Sequence, residues 1–160
     1  MRGLFEFIFE KPELLLKDEL KRSLLFQGLS SKELDIIIKK TGIRHFSKGQ
    51  HVFFESDPGA ALYLIVNGSV RIVRQKDGQN LPIATLSKGM FFGELAIFEP
   101  LPRTAGALAL EDSTLLFLFK HDVEEIVLHH AKLGTKLLWN IGSILAQRLR
   151  AMNETAKEPK

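Results

Sequence analysis

The sequence predicts a mainly β domain, a roll, barrel or sandwich, with helices at both ends. Three observations carry this expectation. Turn glycines recur at Gly49, Gly59, Gly68, Gly78 and Gly89, with gaps of 10, 9, 10 and 11 residues. Short β-branched and aromatic runs lie between them. Helical periodicity is confined to the two ends of the chain. The chain therefore divides into N-terminal helices (1–42), a β-rich centre (43–120) and C-terminal helices (121–160), within a single domain spanning 1–160.

Taken in order, Pro12 and Glu13 mark a helix start, and no breaker follows until Phe26-Gln27-Gly28. Ser30-Ser31 cap a second helix whose buried face is Leu34, Ile37 and Ile38. Strands are expected over 51–55, 62–66, 69–75, 81–86, 104–110 and 114–119. Asp57-Pro58-Gly59, Asn67-Gly68 and Asp77-Gly78 are the turn signals, since glycine and asparagine tolerate positive φ. His121 and Asp122 cap a short helix to about His129, and a longer one runs from Ala131 to the high 150s. That helix would be ~40 Å long at 1.5 Å per residue. Leu137, Ile141, Leu145, Leu149 and Met152 form a stripe along it. The stripe either packs on the β core or makes a two-chain seam; the length of the helix favours the seam.

Composition removes several function classes. At 160 residues, 45% hydrophobic and 26% charged, the chain can bury one real core. The net charge of +3 is a mild bias, with acids and bases interleaved, so no nucleic-acid stripe stands out. The absence of cysteine excludes thiolate catalysis, disulfide scaffolds and cysteine-held metals, and fits a reducing, cytoplasmic setting. Glu6 and Glu10 interrupt the N-terminal apolar residues too early for a signal peptide. No stretch approaches the ~20 apolar residues of a membrane span. Five histidines (His45, His51, His121, His129 and His130) lack the His-x-His spacing of metal-binding β-rolls, so no metal or cofactor is expected. No nucleophile-elbow, Walker-type or paired-carboxylate pattern appears, which argues against an enzyme. Trp139, at helical spacing, is expected to be a packing residue rather than a base-stacking cap.

The chemistry concentrates in residues 91–105. Residues 95–99, bounded by Gly93 and Pro100, read as a single helical turn, whose unpaired first amides suit an anion. Gly93 would let a ligand approach the backbone closely. Arg103 can engage two phosphate oxygens at once, and Thr104 and Ala105 add a hydroxyl and an amide. Glu94 is an acceptor, suited to a sugar hydroxyl. Acceptor, amides and guanidinium together suit a ribose-phosphate unit. The alternative is that Glu94 and Arg103 merely pair with each other on the surface.

This stretch resembles the phosphate-binding cassette of the cyclic nucleotide-binding domain family: Phe92-Gly93-Glu94-Leu95-Ala96, then Arg103-Thr104-Ala105. The hairpin Leu62-Tyr63-Leu64-Ile65-Val66-Asn67-Gly68-Ser69-Val70 and the entry Leu25-Phe26-Gln27-Gly28-Leu29-Ser30 are similar to the family as well. The similarity runs from about Leu24 to the C-terminal helix. It implies a double-stranded β-helix (jelly-roll-like) β-roll with N-terminal helices and a long C-terminal helix. It also implies roles. Glu94 would accept from the ribose 2′-hydroxyl and Arg103 would neutralise the exocyclic phosphate oxygens. Amides of Leu95, Ala96 and Ala105 would complete the cradle, with Phe92, Gly93 and Thr104 around it. Alignment with the C-terminal helix of catabolite-activator-like members puts Arg148 near Glu94 and Asn153 near the base edge.

Two departures from the family pattern, Ser56 in place of a glycine and Met90 in place of an aspartate, fall at turns and bear on local geometry more than on the ligand. Catabolite-activator-like regulators continue into a helix-turn-helix, which this sequence lacks, so direct DNA binding is not expected. The resulting expectation is a non-enzymatic receptor for a cyclic nucleotide, cyclic AMP before cyclic GMP. It would dimerise with a second copy through the C-terminal helix and report occupancy through its helices to an unidentified partner protein. A ligand-free scaffold of the same fold, or a transcription regulator truncated before its DNA-binding part, are the alternatives.

Overall fold

The computed structural model describes residues 12–156, with side chains from residue 16 onward. The expectation about signal sequence concerns residues 1–11, which lie outside the described ones. Helix α1 (Pro12–Arg22) leads into a 3-10 turn (Leu24–Phe26) and α2 (Ser31–Lys40). Eight strands follow: β1 (Gly42–Phe46), β2 (His51–Phe53), β3 (Ala61–Asn67), β4 (Ser69–Lys76), β5 (Gln79–Ser87), β6 (Phe91–Phe92), β7 (Gly106–Ala109) and β8 (Ser113–Phe119). The one-turn helix α3 (Leu95–Phe98) sits between β6 and β7, and α4 (Lys120–His129) and α5 (Ala131–Thr155) close the chain.

The strands make two four-stranded antiparallel sheets, in the orders β1-β8-β3-β6 and β2-β7-β4-β5. The first sheet is the middle layer, and the period of two along its strands explains how. Leu62, Leu64, Leu116 and Leu118 face the helices, where they meet Leu25, Phe26, Leu34, Ile37, Ile126 and Leu137. Ile65 and Leu115, next to them on the opposite face, meet the second sheet against Val70, Leu86, Ala107 and Ala109. Helices at both ends of the chain thus cover one face of a roll whose mouth stays open to receive the 91–105 segment.

Local signals explain the joints. Ser30 and Glu33 form a reciprocal capping box at the start of α2, with Glu33 N donating to Ser30 Oγ at 3.2 Å and Ser30 N donating to Glu33 Oε2 at 2.7 Å. Asp77 and Gly78 both take positive φ (51° and 76°), as the two-residue β4–β5 hairpin requires. Several expectations shift. The short strands β1 and β6 went unrecognised, because each is held by tertiary pairing rather than by a long alternating pattern. The second strand stops at Phe53 and the seventh starts at Gly106, leaving Thr104 and Ala105 outside the sheet. The N-cap of α4 is Phe119, not His121 or Asp122.

The stripe on α5 divides in two. Leu137 and Ile141 are fully buried in the roll-side core, whereas Leu149 and Met152 are exposed, because the helix outruns the sheet it packs on. Trp139 does not pack: it is 75% exposed. Near its start α5 approaches α4 so closely that a Cβ on Gly134 would stand 2.7 Å from Val127 Cα. Leu137→Ala is expected to cost ~2–5 kcal/mol, from lost burial plus the cavity left behind. Urea unfolding measures this; a loss under about 1 kcal/mol would contradict the assigned packing.

Candidate functional site

The mouth of the roll holds a cavity of about 600 Å³, within the usual range for small-molecule sites. Phe92, Gly93, Glu94, Leu95, Ala96, Arg103, Thr104, Ala105 and Arg148 all line it. Its walls are otherwise largely apolar, with Phe53, Ile72, Ile83 and Leu86 from the second sheet and Ala151 and Met152 from α5.

Arg103 is the centre of the site. It is only 9% exposed. Its backbone is clamped by the turn after β2, where Arg103 N donates to Asp57 O and Ser56 N donates to Arg103 O, both at 2.8 Å. Ser56 holds this turn at a φ of +71°, which glycine adopts more readily. The guanidinium donates from Nη1 to Gly93 O at 3.0 Å and from Nη2 to Ala61 O at 2.8 Å. Of the five guanidinium N–H groups, the others have no acceptor among the described residues, and Nε is buried without a partner there. No carboxylate of the described residues forms an ion pair with it. Burial holds the Arg103 pKa below its ordinary value, opposed by Tyr63, Asp57 and Glu94.

Glu94, 6% exposed, does not pair with Arg103. Its Oε1 accepts from Arg148 Nη1 at 2.7 Å, while Arg148 Nη2 donates to Phe91 O at 2.6 Å and the guanidinium lies 4.9 Å from the Phe91 ring centroid. The surface Glu94–Arg103 pair considered from sequence is therefore absent. The ion pair that exists ties the start of α3 to α5. The amides of the cassette are only partly free: Ala96 N already donates to Gly93 O at 3.3 Å, whereas Leu95 N and Ala105 N have no acceptor among the described residues.

Asn153 lies on the exposed last turns of α5 and does not line the cavity. Ala151 and Met152, three and four residues beyond Arg148, line it instead; helical spacing from Arg148 is the signal that could have found them. Met90 also lines the cavity and Ser56 holds Arg103, so the two departures from the family pattern touch the site after all. Phe53, beneath the Arg103 guanidinium, carried no sequence signal, because the position of β2 relative to residue 103 is set by pairing with β7. Among the described residues no group of three or more acids, histidines or cysteines could hold a metal ion, and no helix is long and apolar enough to cross a membrane.

The mouth of the β-roll thus combines a buried arginine that no carboxylate ion-pairs with a carboxylate held by another arginine, an arrangement chemically suited to a small anion that also carries hydroxyl groups. Residues 43–130 match the cyclic nucleotide-binding domain family, and the chain belongs to it. It is 35% identical to the cyclic AMP receptor protein of Thermus thermophilus over 132 residues, 82% of this chain and 59% of that protein. A CRP-like cAMP-activated global transcriptional regulator of Mycobacterium tuberculosis is 30% identical over 84% of this chain and 58% of its own length. The chain thus spans less than two thirds of these relatives. Among solved structures, the catabolite activator protein of Thermus thermophilus superposes with a TM-score of 0.74 at 34% identity, covering 84% of this chain and 62% of that one.

Gly93 sits at φ +75°, and a Cβ there would stand 2.8 Å from Arg103 Nη1. Gly93→Ala is expected to cost ~1–2 kcal/mol in backbone strain alone and to displace the guanidinium. Urea unfolding together with the side-chain NMR resonance of Arg103 checks both. A variant as stable as wild type with an unmoved resonance would contradict the arrangement.

Proposed function

We propose that the chain binds a cyclic nucleotide, cyclic AMP in preference to cyclic GMP, and passes its occupancy to α4 and α5. One observation carries the reading: Arg103 is buried with donors to spare and no carboxylate of the described residues ion-paired to it, in a cavity whose other polar wall includes Glu94. A buried cation in this state is under-compensated, and an anion is what compensates it. The cyclic phosphate would take the free donors of Arg103 and the Leu95 and Ala105 amides. The ribose hydroxyl would donate to Glu94. The base would extend along Ile83, Leu86 and Met152, an apolar surface suited to a purine face. The names of several relatives favour cyclic AMP, among them a Toxoplasma gondii regulatory domain solved with cAMP, 26% identical with a TM-score of 0.66.

Transmission follows from the lining. Arg148, Ala151 and Met152 belong to α5, so a ligand that meets them and shares Glu94 changes what holds that helix to the cassette. Coupling of this kind is typically ~1–3 kcal/mol. The chain acts as a receptor, not an enzyme; its output goes to another protein, and a cytoplasmic setting fits its cysteine-free composition. Direct DNA binding is not part of the proposal.

The second copy completes it. Thr135, Trp139, Gly142, Ala146, Leu149 and Asn153 follow one another on α5 at alternating steps of four and three, and all are exposed. This uncharged row has the period of a two-stranded seam, with small residues for close approach and one asparagine to set register. Trp139→Glu is expected to turn a dimer into a monomer in sedimentation equilibrium; a wild-type chain that stays monomeric at high micromolar concentration would contradict the seam.

Calorimetry with cyclic AMP, cyclic GMP and a cyclic dinucleotide tests the ligand. Arg103→Ala is expected to weaken cyclic AMP binding about 100-fold, the value of charge-assisted hydrogen bonds in a buried site. Equal affinity in both proteins would sink the assignment, and no binding by wild type to any of the three would favour the scaffold reading.

A further inference from the structure

Burying a guanidinium is costly, and proteins commonly offset that cost with a carboxylate. Around Arg103 the acids are engaged elsewhere. Glu94 accepts from Arg148, and Asp57 Oδ2 accepts from Phe54 N at 2.8 Å. Rings stand where an acid would. The guanidinium carbon lies 4.1 Å from the Phe53 ring centroid and 5.8 Å from that of Tyr63. Phe53 and Tyr63 are 5.7 Å apart, and Tyr63 in turn stacks on Phe92 at 5.4 Å and 15°. The two rings come from different sheets, β2 and β3, so the shelf spans the mouth of the roll beneath the cation. Strand β3 supplies both the Tyr63 ring and the Ala61 carbonyl that fixes Nη2.

A ring face attracts a cation through its quadrupole but carries no net charge. A carboxylate would hold Arg103 equally well, yet it would cancel the charge and repel an incoming phosphate. We infer that the Phe53–Tyr63 shelf is a positioning element that replaces the counter-ion of Arg103, leaving its charge unspent and so selecting anionic ligands over neutral nucleosides. The inference takes its ligand from the cyclic nucleotide reading, but the shelf itself stands on geometry alone.

The test is a double-mutant cycle read by calorimetry with two probes, cyclic AMP and the phosphate-free nucleoside adenosine. Phe53→Leu keeps apolar volume and removes the ring. It is expected to weaken cyclic AMP about tenfold, the scale of a desolvated cation–π contact, and to leave adenosine within about twofold. Phe53→Tyr is expected to restore the loss. In an Arg103→Met background, Phe53→Leu is expected to have no further effect, because the ring acts through the guanidinium. Phe53 also lines the cavity, so direct ligand contact is the competing account. Equal losses for both probes, or the same loss on top of Arg103→Met, would establish that account and overturn the inference. Should wild type bind no nucleotide, the ligand reading fails by itself. The shelf is then judged from the Arg103 Nε–H proton resonance, expected to move downfield in Phe53→Leu as the ring current is lost; an unmoved resonance overturns it.

Discussion

The constraint on which the mouth of this roll depends is the burial of one positive charge with no carboxylate ion-paired to it. Arg103 is fixed at every level. The Ser56–Asp57 turn holds its backbone, two carbonyls take two of its donors, and two rings lie under its plane. These supports come from β2 and the turn after it, from β3 and from Gly93, so the site exists only when both sheets and the 91–105 segment are assembled. The surrounding backbone carries the marks of that arrangement. Gly93 has no room for a side chain against the guanidinium, and Ser56 accepts a left-handed conformation to reach the Arg103 carbonyl. A cation stabilised this way keeps its capacity for an anion.

The second polar group, Glu94, connects the site to the rest of the molecule. Its partner is Arg148, which also reaches the Phe91 carbonyl, so one side chain on α5 grips both the strand and the turn that bound the cavity. The same helix is anchored at its other half by Leu137 and Ile141 in the core and by Asn140, whose Nδ2 donates to Leu25 O and Gln27 O. Its distal half is held by Ile144 and Leu145, partly buried against the core, and then by Arg148. A helix firmly rooted at one end and tied to a ligand site at the other is suited to carry a change in that site outward. The exposed Trp139 row runs along the same element.

Much of this was legible before any coordinates. The glycine spacing, the Asp77-Gly78 hairpin and the Ser30 cap are local signals, and local structure obeys them. The cassette was legible because its residues are close in sequence: all eight named between Phe92 and Ala105 line one cavity. What was hidden depends on distant pairing. The positions of Phe53 and Tyr63 under Arg103 are set by strand register between sheets, and no periodicity encodes that. The division of the stripe on α5 was hidden because helical spacing cannot say where the underlying sheet ends. Leu137 and Ile141 fall over it, and Leu149 and Met152 fall beyond it. Trp139 is exposed for a related reason: it sits on the face turned from the roll, which helical spacing by itself did not reveal.

The account comes down to where a phosphate would settle. A crystal structure of the chain grown with cyclic AMP measures that directly. The account expects an exocyclic phosphate oxygen within hydrogen-bond distance of the Arg103 guanidinium and a ribose hydroxyl on Glu94. A nucleotide bound elsewhere, with Arg103 still holding only the carbonyls of Gly93 and Ala61, would contradict it.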